Sequence, residues 1–195
     1  MYILDSENIR EARITITLVF INIFTYIAFN IVLHIDFLLL FVQINSKILY
    51  DYQYWRLITS MFLHADVIHL FSNMVALFFF GAVVENNFPR YQYFIIYFVS
   101  GLIGNLFSLI LLPLNIISLG ASGAIFGLIG AAFILVAMEG DRFLLLLGLA
   151  YIAYFIVSSL APGINLWAHL FGLAGGIIFG FLFNKRRRLK NYEYY

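Results

Sequence analysis

The stretch that decides the fold runs from Tyr91 to Met138, YQYFIIYFVSGLIGNLFSLILLPLNIISLGASGAIFGLIGAAFILVAM, and it holds no Asp, Glu, Lys or Arg. A helix crosses about 30 Å of hydrocarbon with about 20 residues, each rising about 1.5 Å, so this stretch is long enough to cross twice. Pro113, with Asn115 close by, divides it. Outward along the chain, Phe143–Asn184 repeats the pattern with Pro162 as the divider, and Ile14–Ile35 and Val67–Val84 are single charge-free spans. Pro89 stands between the second and third spans, so every proline falls where a helix has to end. The pattern predicts six helices, roughly 14–33, 67–84, 91–112, 122–138, 143–160 and 166–183.

Composition agrees. Of 195 residues, 64% are hydrophobic and 11% charged, against about 45–50% and about 25% in soluble domains. Mean hydropathy is +0.97. A soluble fold of this size has too much surface to hide so much apolar area, and disorder is excluded for the same reason. Lys+Arg 11 against Asp+Glu 10 leaves no basic surface for nucleic acid. With no cysteine there are no disulfides, thiol chemistry or Cys-ligated zinc. The expected class is an all-α polytopic membrane protein.

The first stretch is too long for a signal-peptide core and no small-residue cleavage site follows it, so it reads as a span. An even span count places both termini on one side. That side holds Arg10, Arg13, Arg90, Arg142, Lys185, Arg186, Arg187, Arg188 and Lys190, and the other only Lys47 and Arg56. Nine against two puts both termini in the cytoplasm. The run Lys185–Lys190 reads as a stop-transfer anchor. The expected organisation is a cytoplasmic tail (1–13), a six-helix domain (14–183) and a basic cytoplasmic tail (184–195). The longest loop, about His34 to Asp66, lies outside, where Trp55-Arg56 suits the membrane interface.

Within such a bundle the polar residues are informative, because each must be satisfied internally. His34 reads as interfacial. His69 and Asn73, four apart, share a helix face, either as interhelical hydrogen-bond glue or as paired donors. His64, five before His69, points about 140° away on a continuous helix and is expected to cap the helix or brace the long loop. Gly120-Ala121-Ser122-Gly123 opens the fourth helix, placing Ser122 among unpaired backbone N–H groups at a positive dipole end. Gly123, Gly127 and Ala131 also suit plain helix packing. His169 lies close to the face of Gly172, Gly176 and Gly180, and two small-residue faces in contact would bring Ser122 to His169.

Depth permits this. Ser122–Met138, His169–Phe183 and His69–Val84 measure about 24, 21 and 23 Å of helix, which sets the three polar groups at one height, about 6–9 Å beneath the external face. Hydrolysis there requires a cavity open to water. A serine, a histidine able to take its proton, and further donors for an oxyanion make an acyl-transfer constellation. No Asp or Glu lies at that depth, so the expectation is a dyad of neutral groups, with a buried carboxylate too costly to keep ionised.

Taken together, Trp55-Arg56, His64-x4-His69-x3-Asn73, Gly81 with Glu85, Gly120-Ala121-Ser122-Gly123 and Ala168-His169-x2-Gly172-x3-Gly176 resemble the rhomboid intramembrane serine proteases over about 55–180. The resemblance implies Ser122 as nucleophile, His169 as general base, and an oxyanion hole from His69, Asn73 and the Ser122 backbone N–H. It implies supporting places for His64, Trp55, Arg56, Gly120, Gly123, Gly172 and Gly176. Phe126 stands where relatives often carry a tyrosine stacked on the histidine. It further implies the minimal six-helix core in the cell membrane, with an active site opening to the external side. The Trp55-Arg56 loop would lie partly in the outer leaflet, and the fifth helix, with the loop near Ser158–Asn165, would gate access. Partners would be the bilayer and single-span membrane-protein substrates, cut near the external face at small residues.

No cofactor or metal is expected, and a zinc protease would need H-E-x-x-H, which is absent. An aspartyl protease would need two membrane aspartates, whereas Asp51 and Asp141 fall in loops. A transporter would need mid-depth ligands and an internal repeat. The remaining alternative is a non-proteolytic rhomboid-like protein that binds transmembrane clients; such proteins typically lose the serine or histidine that this chain keeps.

Overall fold

The computed structural model describes residues 12–140 and 142–192, with side chains as far as Lys185 in the last helix. Arg10, Asp141 and the side chains of Arg186, Arg187, Arg188 and Lys190 lie outside the described residues. In chain order the helices are α1 (Arg13–Val32), three short ones in the long loop, α2 (Ile35–Leu39), α3 (Asn45–Tyr50) and α4 (Arg56–Thr59), then α5 (Val67–Asn87), α6 (Arg90–Leu111), α7 (Ser122–Glu139), α8 (Arg142–Ser158) and α9 (Leu166–Tyr192). The protein is a polytopic helical membrane bundle. α1, α5, α6, α7 and the Leu166–Lys185 part of α9 are long and apolar enough to cross a membrane. α8, with 17 residues, lies at the short end of the spanning range of about 17–25.

The helix ends follow local chemistry. The Asp66 carboxylate accepts the His69 N–H at 2.8 Å and caps α5. Pro89 stands immediately before α6, and Gly140 ends α7 in a left-handed conformation. Helix capping therefore belongs to Asp66 rather than to His64.

α7 is the central helix, with eleven of its 18 residues buried. α9 packs along it on small residues in matched steps of four. A Cβ on Gly172 would run into the Gly123 carbonyl, one on Gly176 into the Gly127 carbonyl, and one on Gly180 would come within 2.8 Å of the Ala131 Cα. In lipid no hydrophobic force drives helices together, so backbone approach through small residues supplies the contact. Large apolar side chains such as Phe24, Ile68, Ile110 and Phe143 are left exposed on the outer faces, as a hydrocarbon solvent requires.

At the end of the bundle away from Ser122, the Glu85 carboxylate accepts the N–H groups of Ile14 and Thr15, both at 2.8 Å, and the Thr15 hydroxyl at 2.9 Å. A carboxylate on those free donors complements the α1 N-terminus. Gly81 makes room, since a Cβ there would stand 2.6 Å from Thr15 Cγ2. Phe88 meets Phe183, and Asn184 donates to Met138 Sδ, at the same end. Arg13, Arg90, Arg142 and Lys185 thus gather at one end and Lys47 and Arg56 at the other.

The long loop is held from within. Arg56, only 3% exposed, donates through Nη1 to the carbonyls of Leu39 (2.7 Å) and Val42 (2.6 Å) and through Nε to Gln53 Oε1 (2.6 Å). It is an internal clamp: three acceptors inside the loop satisfy the guanidinium. Trp55 remains exposed, with its Nε1–H on the Leu40 carbonyl. Two short strands, β1 (Gln43–Ile44) and β2 (Ile117–Ser118), pair antiparallel and tie this loop to the turn before α7.

Candidate active site

The site is assembled at the turn into α7. Gly120 has φ +133°, a conformation that glycine adopts without penalty. Its N–H donates to the Ser60 carbonyl at 2.9 Å, joining the turn to the long loop. A Cβ on Gly120 would lie 3.0 Å from both Cε1 and Nε2 of His69 and 3.6 Å from Ser122 Oγ. The His69 ring and the Ser122 hydroxyl therefore converge on one point, which a larger residue would fill. Ser122 is the first residue of α7, where backbone N–H groups have no intrahelical partner. Ser122 and His69 are half-buried, while Asn73 and His169 are buried.

The opposing wall is the start of α9. Asn165 Oδ1 accepts the Ala168 N–H at 3.0 Å, and its Nδ2 donates to Ser108 Oγ (2.9 Å) and Ser118 Oγ (3.1 Å), locking this helix end to α6 and β2. One residue further, His169 Nε2 lies 2.8 Å from Ser122 Oγ. Its ring stacks on Phe126, with centroids 4.3 Å apart and planes 11° from parallel. Phe155 meets Phe126 edge-on at 5.8 Å. The fold thus brings Ser122, His169, Phe126, His69 and Gly120 together, with Gly123, Gly172 and Gly176 setting the helix separation. Trp55 and Arg56 do not join the site; they lie in the loop that also carries Ser60, whose carbonyl accepts the Gly120 N–H.

Asn73 lies one turn along α5 from His69, and its Nδ2 finds no acceptor among the described residues. A buried donor without a partner is costly and is usually kept for a reason. His64 is fully buried beside the His69 ring, edge-on at 5.1 Å, with neither ring nitrogen partnered among the described residues. Burial, followed by the neighbouring His69 imidazole, pushes its pKa down to about 3, so it stays neutral. Asn30 Nδ2 donates to its backbone carbonyl at 3.0 Å, consistent with a brace for the loop.

One group was not legible beforehand. His169 Nδ1 lies 2.7 Å from Ser159 Oγ, just past the end of α8, and Ser159 is buried. The sequence holds no carboxylate at this depth, and a hydroxyl ten residues before the histidine, across a turn, gives no periodic signal. Among the described residues no carboxylate pairs with His169, and no cluster of His, Asp or Glu is arranged to hold a metal.

Residues 51–186 match the Rhomboid domain family. The chain is 37% identical over 138 residues to YdcA of Bacillus subtilis strain 168, a protein provisionally named as a rhomboid protease, covering 67% of each chain. It is 33% identical over 128 residues to the rhomboid protease GluP of the same organism, covering 64% of this chain and 25% of GluP. It is 42% identical over 81 residues to Inactive RHOMBOID-like protein 8 of Arabidopsis thaliana, covering 42% of this chain and 23% of that one. The match thus spans about two thirds of YdcA and about a quarter of the other two. With more than half its length inside the domain, this chain belongs to the rhomboid family.

Proposed function

We propose that the chain is an intramembrane serine endopeptidase in which Ser122 is the nucleophile and His169 the general base. The observation that carries this reading is the 2.8 Å contact between His169 Nε2 and Ser122 Oγ at the first residue of a helix. Ser122 Oγ gives its proton to Nε2 as it attacks the scissile carbonyl carbon, and the carbonyl π electrons move to oxygen. His69, Asn73 and the Ser122 N–H stabilise that oxyanion, the free Nδ2 of Asn73 being a donor already desolvated and waiting. Collapse of the intermediate expels the amine, which takes the proton from Nε2, and leaves an acyl ester on Ser122. Water then attacks with His169 again as base, which restores the hydroxyl. Half-burial of Ser122 and His69 supports access for that water.

The substrates in this reading are single-span membrane proteins cleaved in or near their transmembrane segment, close to the external face. The active site opens to the external side of the cell membrane with both termini cytoplasmic, supported by the separation of basic residues between the two ends of the bundle. Residues 14–183 form the protease domain, flanked by tails 1–13 and 184–195. Kinship with a relative named inactive favours a second reading, a non-proteolytic protein that binds transmembrane clients. Reconstitution of the purified protein in vesicles with a panel of single-span substrates separates them. Cleavage lost in both Ser122→Ala and His169→Ala supports the protease; client binding without cleavage in the wild type supports the alternative.

A further inference from the structure

The proton of a neutral imidazole sits on one nitrogen only, and a base at Nε2 needs it on Nδ1. Enzymes usually fix this with a carboxylate at Nδ1, which His169 lacks. Its Nδ1 instead meets Ser159 Oγ at 2.7 Å. A serine hydroxyl can donate or accept, so that contact alone leaves the tautomer undecided. The second contact of the hydroxyl decides it. Ser159 Oγ lies 2.6 Å from the Phe155 carbonyl oxygen, four residues back. A carbonyl oxygen only accepts, so a contact this short uses the single hydroxyl hydrogen of Ser159. The lone pairs of Oγ are then what faces His169, and Nδ1 must be the donor. Nε2 is left unprotonated, 2.8 Å from Ser122 Oγ.

We infer that Ser159 is a positioning residue: with its hydrogen committed to the Phe155 carbonyl, it holds the proton of His169 on Nδ1 and so keeps Nε2 free to accept the proton of Ser122. The inference rests on the protease reading only for its kinetic consequence; the tautomer itself is independent of activity. The arrangement orients the histidine without an ionised group inside the bilayer, where a carboxylate would be expensive. It also ties the end of α8 to the site, because Phe155 lies in its last turn and Ser159 follows it immediately. The backbone supports it: the Ser159 N–H still donates to the Phe155 carbonyl at 3.0 Å, so the hydroxyl is held against a carbonyl that does not move relative to it.

The test compares Ser159→Ala with Ser159→Thr, which keeps a hydroxyl able to bond the i−4 carbonyl. In protein labelled with 15N-histidine, two-bond 1H–15N correlations show which ring nitrogen of His169 carries the proton. Wild type and Ser159→Thr should show Nδ1–H, whereas Ser159→Ala should show a mixture or Nε2–H. In the cleavage assay kcat of Ser159→Ala should fall about 10–100-fold, by analogy with metal-ligating histidines stripped of their outer partner, with KM little changed and Ser159→Thr restoring most of the rate. An unchanged tautomer in Ser159→Ala overturns the inference. So does a rate loss that Ser159→Thr fails to rescue and that tracks a lowered thermal midpoint, since that describes a structural role. Absence of Ser122-dependent cleavage in the wild type would overturn the protease reading, while the histidine spectrum would still decide Ser159.

Discussion

Helices α7 and α8 follow one another in the chain, are both apolar, and have 18 and 17 residues, yet they meet the rest of the molecule in opposite ways. α7 buries eleven residues and touches α9 backbone to backbone. α8 has no buried residue, and between it, α5 and α7 lies a cavity of about 220 Å³ lined by side chains such as Phe80, Phe133, Leu147 and Tyr151. The difference is one of which atoms make the contact. Glycine carbonyls and Cα atoms cannot rotate away, so the α7–α9 separation has one value; aromatic and aliphatic side chains can repack, so α8 is held adaptably. Ser122 and His169 stand on the rigid pair. α8 approaches them at its end, where Phe155 meets Phe126 and Ser159, the residue after the helix, meets His169.

The strongest way to break this comparison is a methyl group on each helix contact. Gly176→Ala drives a Cβ into the Gly127 carbonyl, where only backbone is available to yield. The variant should lose its folded state or its activity, read by size exclusion and thermal unfolding in detergent. Gly148→Ala on α8 meets the Phe133 ring at 3.1 Å, a side chain free to turn, and should unfold near the wild-type temperature. Equal tolerance at both positions would remove the distinction.

A smaller effect is expected on the third wall of the site. Asn73→Ala leaves the α7–α9 contact alone but removes the unpartnered buried donor on α5. Turnover should fall about 10²–10³, the usual cost of one oxyanion donor, while the thermal midpoint holds. Unchanged turnover would return Asn73 to hydrogen-bond glue.

The smallest effect concerns the brace. His64 is neutral in the fold, with its pKa lowered by burial to about 3, against about 6.5 in an unfolded chain. The unfolded state therefore binds more protons between these values, and His64 costs stability as pH falls from about 6.5 towards 3. Above 6.5 it contributes no pH dependence. Thermal midpoints measured across that window should decline, and His64→Phe should flatten part of the decline. An identical slope in the variant would show that other groups carry it.

Much of this architecture was readable from charge-free length. The prolines and the runs around Tyr91–Met138 and Phe143–Asn184 locate the starts of the long helices to within about one residue, because a bilayer allows few other uses for such sequence. The end of α9 was missed: the helix continues beyond 183 to Tyr192. The pairing of Ser122 with His169 was readable too, since glycines four apart announce a close helix contact. The internal clamp of Arg56 was not legible because its three acceptors are contributed by Leu39, Val42 and Gln53, which no periodicity connects to it. Of the two places open to His64, the cap went to Asp66, and the contacts of His64 agree with the brace. Ser159 was missed because its role depends on a second contact, with the Phe155 carbonyl, that exists only once the end of α8 is folded beside α9.

The central claim is that Ser122 is an activated nucleophile. A fluorophosphonate probe incubated with the detergent-solubilised protein tests it directly, with the adduct located by mass spectrometry. The account predicts covalent labelling at Ser122, abolished in Ser122→Ala and strongly slowed in His169→Ala. Labelling that persists in Ser122→Ala, or a folded wild type that takes up no probe, would contradict it.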